Sequence, residues 1–433
     1  MYTVVVGVIM LLVFMGLILS KRISALTALV VVPVVFGFIA GYGTDTFKFA
    51  VLGMIDSEIG ATVAMLAFAI LYFGIMLNTG LFDPLAGLVT KFMKGDPLRV
   101  IVGTAILSTL VSLDGDGTTT VMICCAALIP IYTRLNINKI YLAAFIIIPN
   151  GVINMLPWGG PTARLLAVIP LDPNEMLLRL LPLMGIGLVA AFIMAFYFGF
   201  QERKRLGIAD ISMESAQTRL DEEEQELRRP KMIWFNLCLT VLCMIAIIAV
   251  GIPGPLVFAI SSCIALTVNY RDLKLERRVI ERNAEGIVTV CVMILGAGVF
   301  MGMLSQSGLA NEMAGALISV IPESWSGFFN FIIAVISAPA VWILNNDAFY
   351  FGIVPVLAKT AAAYGYSDMQ IGLATLIGQS VRGCSPVIAS LYFLASYLKI
   401  EFSDFQRKMI PISLFSFAFY LLGGAFLGIY TPA

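Results

Sequence analysis

The chain contains no histidine among its 433 residues. That excludes a HExxH-type metal site, imidazole metal ligands and imidazole proton carriers. Charge is also scarce: Asp, Glu, Lys and Arg make up 12% of the residues, with 27 basic against 27 acidic side chains. A soluble domain carries about 25%. The zero balance identifies no partner, and nucleic acid is not expected. Seven cysteines, among them Cys124, Cys125, Cys238 and Cys243, lie mainly in apolar runs without CxxC spacing. Packing is therefore expected of them, not disulfides or zinc. The first stretch, "MYTVVVGVIMLLVFMGLILSKR", has no basic n-region and no small-residue cleavage site. It reads as a first span and not as a removed leader.

What is present is apolar. The chain is 60% hydrophobic, with a mean hydropathy of +0.96. Runs of spanning length recur from end to end, which predicts an all-α polytopic membrane protein. Spans are expected near 2–20, 23–42, 60–77, 140–169, 177–200, 232–250, 255–270, 284–304, 369–398 and 409–430. Two more apolar stretches, 98–133 and 325–361, are each interrupted by a polar tip. If both fold back as re-entrant hairpins, the basic loops gather on one side. Lys21, Arg22, Lys91, Lys94, Arg99, Arg134, Lys139, the basic residues of 201–231 and 271–282, Lys399, Arg407 and Lys408 share it. Only Lys48, Arg179 and Lys359 fall opposite, and only Arg164 and Arg382 remain inside spans. The positive-inside rule makes the basic side cytoplasmic and both termini extracytoplasmic.

The halves resemble each other. "FGIMLNTGLFDPLAG" (73–87) aligns without gaps on "MGMLSQSGLANEMAG" (301–315). The helical stripe Leu81, Leu85, Leu88, Phe92 recurs as Leu309, Met313, Ala316, Val320. Each copy follows a span, precedes a hairpin, and is followed in turn by a span broken at glycine and proline. Those breaks are "NGVINMLPWGGPTAR" (150–164) and "GQSVRGCSP" (378–386). The expected organisation is an inverted repeat with two re-entrant hairpins and two broken transmembrane helices. The first repeat takes 1–200, with its hairpin at 98–133 and broken helix at 140–169. A cytoplasmic linker takes 201–231. The second repeat takes 232–433, with its hairpin at 325–361 and broken helix at 369–398. Broken helices in matching positions of two halves point to a transporter's midplane site.

The candidate site follows from the polar residues at those tips and breaks. The stretch "VSLDGDGTTTVMICC" (111–125) holds Asp114, Gly115, Asp116, Gly117, Thr118, Thr119 and Thr120; the second tip holds Asn345, Asn346 and Asp347. Glycines allow a tight turn, and irregular backbone at membrane depth is tolerated where it is buried in protein or faces a wet cavity. Arg164 and Arg382 sit at the breaks. Ionisable groups inside a membrane are costly and usually functional, although buried charges that merely neutralise one another would also account for them. Arginine matches a carboxylate bidentately and aspartate oxygens suit hard divalent cations. The expected substrate-binding set is Asp114, Gly115, Asp116, Gly117, Thr118, Thr119, Asn150, Gly159, Gly160, Thr162, Arg164, Asn345, Asn346, Asp347, Gln379, Arg382 and Ser385. Asp114, Asp116 and Asp347 are the candidates for carrying a coupling proton and for meeting a metal held in a substrate complex. No resident cofactor is expected.

At these residues the sequence resembles the bacterial citrate–divalent metal:proton symporter family, CitMHS, within the ion transporter superfamily. "FAILYFGIMLNTGLFDPL", "KGDPLRVIVGTAILSTLVSLDGDGTTT", "LPWGGPTAR" and "DAFYFGIVPVLA" carry the likeness, which covers most of the chain and is weakest in the linker. It implies proton-driven import of citrate complexed with a divalent cation of the Mg²⁺ or Ca²⁺ class, in the bacterial cytoplasmic membrane. The superfamily implies a scaffold, a mobile transport domain working as an elevator, and a homodimer. The chain departs from the family pattern at Arg382, where a histidine is expected, at Gly383 and Cys384 in place of Leu-Leu, and at Asn345 and Asn346 in place of Thr-Pro.

Other classes fit less well. An intramembrane aspartyl enzyme built on Asp114 and Asp116 does not suit a glycine-rich tip within an inverted repeat. A channel wants a continuous polar lining, whereas the polar groups here cluster at one depth. An enzyme is therefore not expected. A metal-free di- or tricarboxylate or sugar-acid transporter, coupled to protons or sodium, is the competing reading.

Overall fold

The computed structural model describes residues 2–20, 22–93, 95–115, 117–208 and 222–432. Every element is helical, and no strand occurs among the described residues. Eight of the described helices are long and apolar enough to cross a membrane. The chain is a polytopic all-α membrane protein.

Helix starts follow their caps. Asp96 accepts from the backbone N–H of Leu98 and is followed by Pro97 at the first helical position, the arrangement that satisfies one orphan donor and forgoes another. Ser24, Asp56, Asn138, Asp172, Asp272 and Ser367 cap in the same way. Two helices, Pro173–Leu206 and Leu273–Gln306, have 34 residues each. At the standard rise that is about 51 Å, well beyond a hydrocarbon core of about 30 Å. The apolar runs mark only their middles; the ends carry Arg203, Lys204 and Arg205, and Arg277, Arg278 and Arg282.

One order of elements occurs twice. In the first half a long helix, Ser57–Thr79, ends at left-handed Gly80 (φ +81°). A short helix, Asp83–Met93, a hairpin, a broken helix and the long Pro173–Leu206 follow. In the second, Leu273–Gln306 is followed by left-handed Gly308 (φ +78°), Leu309–Val320, a hairpin, a broken helix and Phe402–Phe426. Gly80 and Gly308 are the glycines that the two sequence copies align, and only glycine adopts this conformation cheaply. Corresponding long helices pack on each other: Ser57–Thr79 on Leu273–Gln306, and Pro173–Leu206 on Phe402–Phe426.

The segment between the second and third spans, read from the sequence as a loop, contains the helix Asp45–Met54. It lies backbone to backbone on Leu273–Gln306. A Cβ on Gly53 would fall 2.0 Å from the Gly298 carbonyl oxygen, and one on Gly302 2.1 Å from that of Phe49. Small residues four apart, Gly298 and Gly302, permit this approach, and the helix is anchored by that seam and not by its own modest apolarity.

Each of the two apolar stretches with a polar tip holds a pair of helical segments. Pro97–Val111 turns through the 3-10 segment Ser112–Asp114 into Gly117–Arg134. Phe329–Ile343 turns at 344–347 into the π-helical Ala348–Ile353 and then Val354–Ala363. The first broken helix is Lys139–Ile153 followed by Gly160–Leu166. The second is Asp368–Ile377, a 3-10 stretch Gly378–Cys384, and Ala389–Leu398.

Candidate functional site

Each hairpin tip is pinned to the break of its own half by a tryptophan. At the first tip Gly115 is left-handed, with φ +78°. A Cβ there would meet the Trp158 carbonyl at 3.2 Å and its indole ring at 3.3 Å. The Trp158 indole N–H donates to the Leu113 carbonyl at 2.9 Å. Asn150 donates to the Ser112 and Thr120 hydroxyls at 3.0 and 3.3 Å. At the second, the Trp342 indole N–H donates to the Cys384 carbonyl at 2.9 Å, and the Ser385 hydroxyl donates to the Trp342 carbonyl at 2.8 Å. Gly378 presses on Ser337, where a Cβ would lie 2.5 Å from backbone atoms. Neither tryptophan was among the expected site residues. Trp158 was visible inside "LPWGGP"; Trp342 sits in an apolar run with nothing to mark it.

The first break is built by glycine and amide groups. Gly159 comes so near the Asn154 carbonyl that a Cβ would lie 2.0 Å from its oxygen, and the Asn154 side chain caps the Gly160 N–H at 3.0 Å. The Thr162 hydroxyl donates to the Met155 carbonyl at 2.6 Å, which makes it a fastener of the turn.

The two arginines differ. Arg164 reaches across to the second hairpin, where its Nε donates to Asp347 Oδ1 at 2.5 Å. One Nη donates to the Gly160 carbonyl at 2.8 Å and the other faces Met293 Sδ at 3.7 Å. Around that pair Asn345 caps the Ala348 N–H, and Gln379 donates to Asn346 Oδ1 and to the Tyr350 hydroxyl at 3.3 and 3.0 Å. The guanidinium of Arg382 has no hydrogen bond or ion pair among the described residues.

Arg382 faces a cavity of about 250 Å³, slightly below the usual range for small-molecule pockets, about 300–1,000 Å³. The first tip contributes Gly115, Gly117 and Thr118 to its wall, and the first broken helix contributes Ile147, Asn150, Gly151, Asn154 and Gly160. Arg382, Gly383, Ile388, Ser390 and Leu391 close it from the second half. The same wall includes Gly117 and Thr118, the first residues of the 18-residue helix Gly117–Arg134. A helix N-terminus carries about half a positive charge. A guanidinium without a hydrogen bond or ion pair among the described residues, a positive helix end and two carboxamides around one small cavity form a site for an anion with carboxylate groups.

The expected residues thus divide. Gly115, Gly117, Thr118, Asn150, Gly160 and Arg382 line the cavity, with Asp114 and Thr119 on its tip segment. Arg164, Asn345, Asn346, Asp347 and Gln379 form the neighbouring cluster, while Gly159, Thr162 and Ser385 hold backbone turns. Asp116 lies outside the described residues. Asn154, Gly151 and Ser390 join the lining without having been expected. No group of three or more Asp, Glu or Cys side chains that could hold a metal ion occurs among the described residues.

The chain matches the family described as citrate transporter, CitMHS, over residues 3–378. A protein of Bacillus subtilis named as a citrate transporter is 44% identical over 406 residues, 94% of each chain. Another from that organism, named as a Mg²⁺/citrate complex secondary transporter, is 39% identical over 93% of each chain. Among solved structures, the Alcanivorax borkumensis YdaH transporter superposes with a TM-score of 0.58 at 15% identity, covering 92% of this chain and 90% of its own. The Neisseria gonorrhoeae MtrF efflux pump does so with 0.51 at 14% identity, covering 88% and 82%. These two likenesses concern the fold alone. By its match over most of its length and by these relatives, the chain belongs to the CitMHS family of citrate transporters.

Proposed function

We propose that this protein imports citrate as a complex with a divalent cation, by proton symport, across a bacterial cytoplasmic membrane. The observation that carries the reading is that Arg382, without a hydrogen bond or ion pair among the described residues, lines one cavity together with the N-terminal end of Gly117–Arg134. Fully ionised citrate has three negative charges and its complex with a divalent cation has one. One working guanidinium aided by a helix end suits the complex. The metal travels as part of the substrate. Asp114, on the tip segment, with Asp116 beside it in sequence, supplies oxygen ligands from the protein side.

The proton rides on a carboxylate, since the chain has no imidazole. Asp114, Asp116 and Asp347 are its candidate carriers, Asp347 being held by Arg164. The hairpins and broken helices move together as the transport unit of a homodimer, in an elevator motion past the long helices. The competing reading, a metal-free di- or tricarboxylate or sugar acid coupled to protons or sodium, draws on the permanent charge of Arg382, which could take over part of the metal's neutralising role.

Calorimetry of citrate binding to purified protein separates the two, first with EDTA and then with Mg²⁺ or Ca²⁺, for the parent and for Arg382→His. Binding that requires metal in the parent is the expected result. Equal affinity with EDTA and with metal would establish the metal-free reading. Labelled-citrate uptake under imposed pH and sodium gradients then identifies the coupling ion.

A further inference from the structure

The two arginine sites are exchanged between halves. Arg164, on the first break, reaches the second tip; Arg382, on the second break, lines a cavity together with the first tip. One exchange is closed by an internal carboxylate, that of Asp347, and the other opens on a cavity. We infer that Asp347 sets the charge of the ligand this transporter accepts: it occupies Arg164 as a built-in carboxylate, leaves Arg382 as the working cation, and so selects citrate whose charge a divalent cation has reduced. The inference rests on the proposed citrate site and names the residue that tunes it.

The physical argument is differential. Arg164 and Asp347 are largely shielded from solvent, with side chains 23% and 15% exposed, and Arg164 also bonds Gly160, which lines the cavity. A charge uncovered at Arg164 therefore acts on a ligand in the cavity with little screening. Between unit charges about 10 Å apart, at an effective dielectric of about 20, the interaction changes affinity by about tenfold. It acts in proportion to ligand charge, so it favours the free trianion over the metal complex. Asp114 is present in every variant and cancels from the comparison.

The test measures, by calorimetry on purified full-length protein, the ratio of the dissociation constant for citrate in EDTA to that for citrate with saturating Mg²⁺. Asp347→Asn should lower this ratio by about tenfold or more, toward free citrate, and Arg164→Gln should raise it. The double variant Arg164→Gln/Asp347→Asn removes both charges and should return the ratio to the parental value. If Asp347→Asn does not fold, the direction of the Arg164→Gln shift against the double variant decides. Ratios that do not move in the single variants, or that move alike in both, overturn the inference. A parent that binds neither form of citrate would instead overturn the proposed function and leave the charge rule without its substrate.

Discussion

Two arginines that look equivalent in sequence, one at each break, have different partners in space, and their conservative variants should differ accordingly. In Arg382→Lys a point charge replaces a planar fork, so bidentate contact with a carboxylate is lost. Citrate affinity should weaken by about tenfold with the melting temperature unchanged, the size of one charge-assisted hydrogen bond. In Arg164→Lys the ammonium cannot serve Asp347, the Gly160 carbonyl and Met293 together. The melting temperature should fall, and binding should weaken only as the first break loosens. Thermal denaturation beside calorimetry reads both, and equal responses of the two variants would contradict the assignment. The arginines and the aspartates were legible as a group because charge is rare in this chain and occurs at the interruptions of apolar runs. Their pairing was not. Arg164 and Asp347 are 183 positions apart, and nothing local distinguishes the arginine that is paired from the one that faces a cavity.

At the scale of elements, glycine and proline punctuation marked both hairpins and both breaks, because a turn inside an apolar run needs residues that cannot continue a helix. The Asp45–Met54 helix escaped, since its place depends on a glycine seam with Leu273–Gln306, far along the chain. The tryptophan pins escaped too, being single hydrogen bonds between distant elements. Their consequences differ. Trp158→Phe keeps the ring stacked on Phe73 and against Phe258 but withdraws the donor from the Leu113 carbonyl. Trp342→Phe withdraws a donor from the Cys384 carbonyl, which also accepts from Gln406 at 2.9 Å. A buried carbonyl that loses a donor costs about 1–3 kcal/mol, and one with a second donor less. Trp158→Phe should therefore lower stability and citrate affinity more than Trp342→Phe, since the tip it frees is the one lining the cavity. Equal effects would mean that the Trp158 bond does not position the tip.

For the whole molecule, the expected sidedness can be compared with contacts between loops. Arg203 and Arg99 meet Asp96; Arg205 meets Glu202 and the Asn136 carbonyl; Arg228 meets Asp83, and Arg278 meets Glu226. All of these belong to segments assigned to the basic side. Thr3 bonds Glu312, Tyr2 reaches the Ile39 carbonyl, Asn174 holds Ile252 and Gly254, and Gln370 bonds the carbonyls of Gly428 and Thr431. All of these belong to the opposite side. Had the first hairpin stretch been a single crossing, the sides of every later loop would be exchanged and the Arg203–Asp96 contact would have to pass through the bilayer; had the second been one, the bond from the Tyr366 hydroxyl to the Ser326 carbonyl would have to do so. The N-terminal and C-terminal residues make their contacts within the second group, which fits the expectation that both termini lie opposite the basic loops. With the basic loops cytoplasmic, a short tag at either end should react with a membrane-impermeant reagent in intact spheroplasts, and a tag inserted in the 201–231 linker should react only after lysis. Labelling of the linker in sealed cells would reverse the orientation and turn the cavity's access about with it. Labelling of one terminus alone would require an odd number of crossings, so that at least one hairpin stretch passes through the membrane.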